Sequence, residues 1–253
     1  MNSLRLFKSS KSILSCVSRS ISRTQRLERN NKNVAIVLSG CGIYDGSEIL
    51  EAASIIIHLS KNNSNYSIFA PNIEQLHVIN HLTGEVVPET RNVLQESARI
   101  ARGSIQSLEK LNSSDFDALV LPGGFGVAKN LSDYALNGPK MTVYKEVERV
   151  VGEFLLANKP MGFICISPII AAKLIPGVEI TEGKKNGKDW PYAETINNVA
   201  LMGAVPVEKD TLEVHVDEKF KVVSTPAFMK HSATPGEVFD GIGKLILNVL
   251  RLI

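Results

Sequence analysis

The sequence predicts an α/β protein, a doubly wound sandwich with helices on both faces of a mostly parallel sheet. Three observations lead there. From residue 34 onward, short apolar runs alternate with amphipathic helical stretches, the order that winds strands and helices into parallel βα units. The runs Val34-Ala35-Ile36-Val37-Leu38 and Ala118-Leu119-Val120-Leu121 are apolar at every position, as strands buried on both faces are. Three such runs stop at unusual turns, over 40–48, 122–126 and 165–168. Ligands bind beyond the carboxyl ends of strands in such sheets, so the three turns are expected to converge on one site.

Taken in order, the strand over 34–38 enters a Gly-rich turn, 39–46, and an amphipathic helix over 47–60. A second strand is expected over 66–70. Residues 72–89 are polar and read as irregular, 91–102 as helix, and 118–121 as a buried strand stopped by Pro122-Gly123-Gly124. A helix over 143–157 precedes the apolar run that ends on Cys165. Pro168 then opens a helix reaching residue 174, because the missing N–H of Pro has no intrahelical partner in a first turn. Helix is expected again over about 192–202. The alternating stretch 212–223, with Glu218-Lys219-Phe220-Lys221 near its middle, reads as a β-hairpin. Thr234, Pro235 and Glu237 supply cap, first-turn Pro and capping-box acid for a final helix. No linker or repeat divides 34–253, which is expected to be one domain.

Composition is that of a globular protein, 44% hydrophobic and 21% charged, with no run long enough for a membrane span. The three cysteines, Cys16, Cys41 and Cys165, form no disulfide framework and lack metal-ligand spacing, so a reducing compartment and no metal are expected. The net charge of +2 is unevenly placed: residues 1–33 hold eight basic side chains and one acid. That segment is +7, which leaves −5 for the remainder. An acidic body lacks the basic footprint that nucleic acid requires.

Residues 1–33 are Ser- and Arg-rich, with Leu14, Val17 and Ile21 on one helical side and Arg19, Arg23 and Arg26 on another. This is the pattern of a mitochondrial transit peptide, and the matrix is the expected destination. Arg19-Ser20-Ile21-Ser22 is similar to a matrix-protease cleavage site. A basic tail for acidic surfaces is the weaker reading.

The chemistry centres on Cys165. Its strand-to-helix turn is that of a nucleophile elbow, with the positive helix end expected at the sulfur. A depressed thiol pKa, below the roughly 8.5 of a free thiol, is therefore expected. A lone cysteine is otherwise a small buried hydrophobe. The N–H groups of Gly123 and Gly124, with that of Ile166, are candidates for an oxyanion hole, although two glycines also suit a tight turn. Glu48 is the candidate acid/base partner, its pKa raised beside the sulfur; equally, an acid suits a helix N-terminus.

Several motifs occur together: Gly40-Cys-Gly-Ile-Tyr-Asp-Gly-Ser-Glu48, Val78-Ile-Asn-His-Leu-Thr-Gly84, Glu89-Thr-Arg-Asn-Val93, Pro122-Gly-Gly-Phe-Gly-Val-Ala-Lys-Asn130, Cys165-Ile-Ser-Pro168, Trp190-Pro-Tyr192 and Ser224-Thr-Pro-Ala-Phe228. Across 34–253 the chain resembles the mitochondrial glutamine amidotransferase-like class 1 domain proteins. It is likewise similar to the bacterial enhancing-lycopene-biosynthesis glyoxalase family, within the superfamily of the parkinsonism-associated deglycase and the intracellular proteases.

That resemblance implies a flavodoxin-like three-layer sandwich of the class I glutamine amidotransferase-like type. It also implies a homodimer, and cofactor-free glyoxalase or deglycase chemistry on small dicarbonyl or glycated substrates. Cys165 would be the nucleophile, Glu48 the proton carrier, and Gly124 and Ile166 would hold the oxyanion. Glutaminases of the superfamily carry a His-x-Glu where this chain has Ser224-Thr-Pro-Ala-Phe-Met229, and the proteases carry His where it has Ile166. Neither activity is therefore expected. His81, in the 78–84 loop, and Arg91 and Asn92 are candidate substrate-binding residues; surface or capping roles are as good a reading of each. His58 reads as packing, and His77, His215 and His231 have no supporting context. The alternative function is a redox-sensing or scaffold protein that keeps the pocket with little turnover.

Overall fold

The structure is a computed structural model and describes residues 31–253. The expected transit peptide, 1–33, lies almost wholly outside the described residues.

The strands are β1 (Asn33–Val37), β2 (Asn65–Ala70), β3 (Val78–Ile79), β4 (Val86–Val87), β5 (Gln106–Ser107), β6 (Ala118–Leu121), β7 (Met161–Ile164), β8 (Glu179–Ile180), β9 (Val205–Pro206), β10 (His215–Asp217) and β11 (Val222–Thr225). Seven of them form the central sheet in the order β10-β11-β7-β6-β1-β2-β5. All its pairings are parallel except β10 with β11, which is the expected hairpin. The helices are α1 (Ile49–Lys61), α2 (Val93–Ile100), α3 (Phe125–Lys129), α4 (Tyr134–Asn137), α5 (Lys145–Leu156), α6 (Pro168–Leu174), α7 (Ala193–Leu201) and α8 (Pro235–Arg251).

Period-2 side-chain alternation splits each buried strand between two cores. Val34, Ile36 and Leu38 face one core with Ile55 and Leu59 of α1 and Ile242, Leu245 and Ile246 of α8. Ala35 and Val37 face the other with Val150 and Phe154 of α5 and Ile170 of α6. Both sides of β1 are thus removed from water, which is why its sequence shows no polar alternation. Truncating one of these core side chains, Leu245→Ala for example, costs about 2–5 kcal/mol.

The final helix starts where its cap predicts. Thr234 Oγ1 accepts from the Glu237 N–H at 3.3 Å, while Glu237 Oε2 accepts from the Thr234 N–H at 2.8 Å. The polar stretch 72–89, read as irregular, contains the antiparallel pair β3–β4. Strands of two residues carry no periodicity, and β5, β8 and β9 escape sequence reading for the same reason.

Candidate active site

Cys165 follows the last residue of β7 and has a left-handed backbone, φ +59°. Such a conformation costs a non-glycine residue roughly 1–3 kcal/mol and persists only where its surroundings enforce it. Here the enforcement is a hydrogen-bond frame. The Cys165 N–H donates to the Thr225 carbonyl of β11 at 3.0 Å. Ser167 Oγ accepts from the Ile164 N–H at 2.7 Å and donates to the Leu121 carbonyl of β6 at 2.9 Å. Pro168 occupies the first turn of α6. The expected elbow is present.

Gly123 and Gly124 pass directly beside it. A Cβ on Gly123 would fall 2.5 Å from Cys165 Cβ and 2.8 Å from Glu51 Oε2. Gly124, at φ +95°, has no room for one either, since it would meet the Gly46 carbonyl oxygen at 2.3 Å. These glycines are therefore required by close approach as well as by the turn. The Gly123 N–H, however, is committed: it donates to Glu51 Oε2 at 2.8 Å. Of the three amides expected at an oxyanion hole, it is not free to serve there. Gly124 and Ile166 both line the cavity that contains the Cys165 sulfur.

The carboxyl set against the sulfur is Glu51, which sequence reasoning missed. Glu51 is completely buried. Its Oε1 makes no bond to a nitrogen or oxygen among the described residues, which leaves that oxygen to carry a proton. Burial first, and then the neighbouring Glu48 charge, push its pKa up to about 8, against the Gly123 amide and the Cys165 thiol, which favour the carboxylate.

Glu48 is the N-cap of α1. Its Oε2 accepts from the Glu51 N–H at 2.6 Å, and its half-buried side chain lines the cavity. Burial also raises its pKa, opposed by the first amides of the helix. A signal for Glu51 was present: Glu51, Ile55 and Leu59 share one helical stripe, so an acid stands alone on an apolar face.

The depressed thiol pKa expected from the elbow is overturned. Burial, then the Glu51 and Glu182 charges and the bond to Glu51, hold Cys165 well above the ordinary thiol value; the Gly124 amide opposes them. A seven-residue helix carries only a modest dipole to set against that desolvation. Glu182 is itself buried, with neither oxygen partnered among the described residues.

The three residues expected to bind substrate are not brought to Cys165. The His81 ring accepts from the Tyr44 N–H at 3.2 Å and pairs with the Ile79 carbonyl at 3.0 Å, clasping the 42–46 turn. Arg91 is paired with Glu89 at 2.9 Å. Asn92 caps α2. None of the three lines the cavity beside Cys165. Among the described residues no cluster of His, Cys, Asp or Glu is placed to hold a metal ion, and no helix is long and apolar enough to cross a membrane.

An elbow cysteine, a buried first-helix acid and this sheet order define an amidotransferase-like domain of the flavodoxin-like fold. No family model matches the chain. It is 51% identical over 227 residues to the rat "ES1 protein homolog, mitochondrial", covering 88% of this chain and 85% of the relative. It is 51% identical over 222 residues to the human "Glutamine amidotransferase-like class 1 domain-containing protein 3, mitochondrial", covering 87% and 82%. A solved structure from Ehrlichia chaffeensis, an isoprenoid biosynthesis protein with an amidotransferase-like domain, is 37% identical with a TM-score of 0.79 over 87% of this chain and 99% of that one. The chain belongs to this mitochondrial ES1 and glutamine amidotransferase-like class 1 family, and its location is mitochondrial. Glyoxalase III of Candida albicans shares the fold, with a TM-score of 0.56 at 15% identity.

Proposed function

We propose that the protein is a cofactor-independent glyoxalase of the deglycase type, acting on 2-oxoaldehydes. The observation that carries this reading is the buried Glu51 carboxyl beside the Cys165 thiol at the wall of a cavity. The sulfur adds to the aldehyde carbon, forming an S–C bond. The C=O π pair moves to oxygen, toward the Gly124 and Ile166 amides, and the thiol proton passes through Glu51 to that oxygen, which completes the hemithioacetal and leaves Glu51 ionised. Glu51 then takes the proton from that carbon and returns one to the neighbouring carbonyl carbon, so one carbon is oxidised as the other is reduced. Water cleaves the resulting thioester, releasing a 2-hydroxy acid and the thiol. The net reaction adds one water and needs no external oxidant. A carboxyl with a pKa near neutrality is suited to both transfers. The test is hydroxy-acid formation from methylglyoxal and larger oxoaldehydes. Turnover should vanish in Cys165→Ala; turnover that survives it would overturn the mechanism.

One observation favours the second reading, a redox-sensing or scaffold protein with little turnover. The thiol is held protonated by its surroundings, and none of the described histidines lines its cavity to activate it. Retained dicarbonyl turnover would remove that reading. As part of the same proposal, residues 1 to about 21–33 are removed on import and the mature protein is a homodimer. N-terminal sequencing and light scattering test these two points.

A further inference from the structure

The cavity beside Cys165 has a volume of about 360 Å³, within the range of about 300–1,000 Å³ that encloses drug-sized ligands. A three-carbon oxoaldehyde would leave most of it empty. Its walls are largely apolar, with Phe125, Ile166, Pro191, Tyr192, Phe228 and Met229 among them. A second cavity of about 480 Å³ shares the Phe125, Tyr134, Ala135 and Ile166 walls and extends the apolar surface.

The charge around this space has one sign. Glu48 and Glu194 line the cavity, and among the described residues no Lys, Arg or His does. Lys129 borders only the adjoining cavity. Its Nζ is spent on the Tyr44 carbonyl at 2.8 Å. The neutral polar groups are self-satisfied in part, Asn198 Nδ2 donating to the Tyr134 hydroxyl at 2.9 Å. An anionic substrate entering here would give up its hydration and meet carboxyls with no compensating cation. An apolar substituent would displace water from apolar walls and gain by its area.

Building on the glyoxalase reading above, we infer that the site selects 2-oxoaldehydes with an aryl or long alkyl substituent and no negative charge, rejecting both the smallest and the anionic ones. Selection of this kind by a hydrophobic pocket is worth at least tenfold when several carbons are added.

The test uses the full chain and three substrates: methylglyoxal, phenylglyoxal and 4-carboxyphenylglyoxal. Phenylglyoxal should exceed each of the others at least tenfold in kcat/KM. Equal values, or a preference for the carboxylate, overturn the inference while leaving a Cys165-dependent glyoxalase in place. If no oxoaldehyde is turned over, the glyoxalase reading falls and a second measurement decides the selectivity. Cys165 alkylation by N-benzyl-2-iodoacetamide, iodoacetamide and iodoacetate is then compared, each rate divided by that of glutathione with the same reagent. The benzyl amide should lead and iodoacetate trail by at least tenfold. Ratios matching the free thiol overturn the pocket's selectivity. Glu194→Arg should narrow the gap between the neutral and anionic reagents severalfold, and an unchanged gap counts against the inference.

Discussion

The Gly123 N–H and the Glu51 carboxyl are joined by a 2.8 Å hydrogen bond that links residues 72 positions apart. It ties the first turn of α1 to the end of β6 and holds the carboxyl beside Cys165. Gly123 can do this only because it lacks a Cβ. Gly123→Ala should therefore destabilise the domain by about 1–3 kcal/mol, the range for overpacking. It should also slow Cys165 alkylation in the remaining folded protein. Denaturant unfolding checks the first effect, and a wild-type midpoint would refute the close approach.

Glu51 and Glu48 are separated by one turn, yet their roles differ. Glu51→Gln keeps the shape but cannot carry a proton, so dicarbonyl turnover should fall by roughly 10²–10⁴-fold, the span of general acid–base catalysis. Glu48→Gln still offers a capping oxygen and should retain activity within about tenfold of wild type. The comparison is of kcat in the two variants. Greater damage from the Glu48 change would return the proton-carrying role to Glu48.

The coupled Cys165–Glu51 pair should control alkylation as a unit. With the thiol raised and Glu51 near 8, the Cys165 alkylation rate should climb as pH rises through about 8 and beyond. A pH–rate profile read by mass spectrometry would show it. A plateau already reached at pH 6 would mean a preformed thiolate and contradict the burial effect.

Stability should also fall on the alkaline side. The Glu51 pKa rises from 4.5 to about 8 on folding. A carboxyl raised in the folded state contributes stability that is fully present below the unfolded value and is lost as pH rises through the folded one. Tm should therefore decline between pH 5 and 9, and Glu51→Gln should flatten the decline. Asp210 is held down to about 2 by Lys184, then by Lys230, so its contribution disappears only in strong acid and does not overlap. A pH-independent Tm in wild type would exclude the effect.

Glu182 offers a separate check. Both its oxygens are buried without partners among the described residues, and burial raises its pKa well above the ordinary value. Glu182→Met keeps an unbranched chain of similar size and removes the orphaned group. A gain of about 1–3 kcal/mol is expected, largest above neutral pH, as read by chemical denaturation. A loss of stability would show that the carboxyl has an essential partner.

Residue order alone determined the strands over 34–38 and 118–121, the elbow at Cys165, the hairpin before residue 225 and the cap at Thr234. Each is a local matter, set by hydrophobic run length, Pro at a first turn, or a Thr–Glu capping pair. Tertiary structure decided which acid meets the sulfur, which amide is already spent and whether the thiol is lowered or raised. Glu48 and Glu51 both belong to the helix start, and the apolar stripe that Glu51 shares with Ile55 and Leu59 turns it inward but does not distinguish a buried acid from a site residue. The distinction arises when β6 brings Gly123 across to α1 and the surrounding layers exclude water from Glu51, Glu182 and Cys165 together. Desolvation is a property of the packed assembly, and it outweighs the local helix dipole from which the thiol's charge state had been expected.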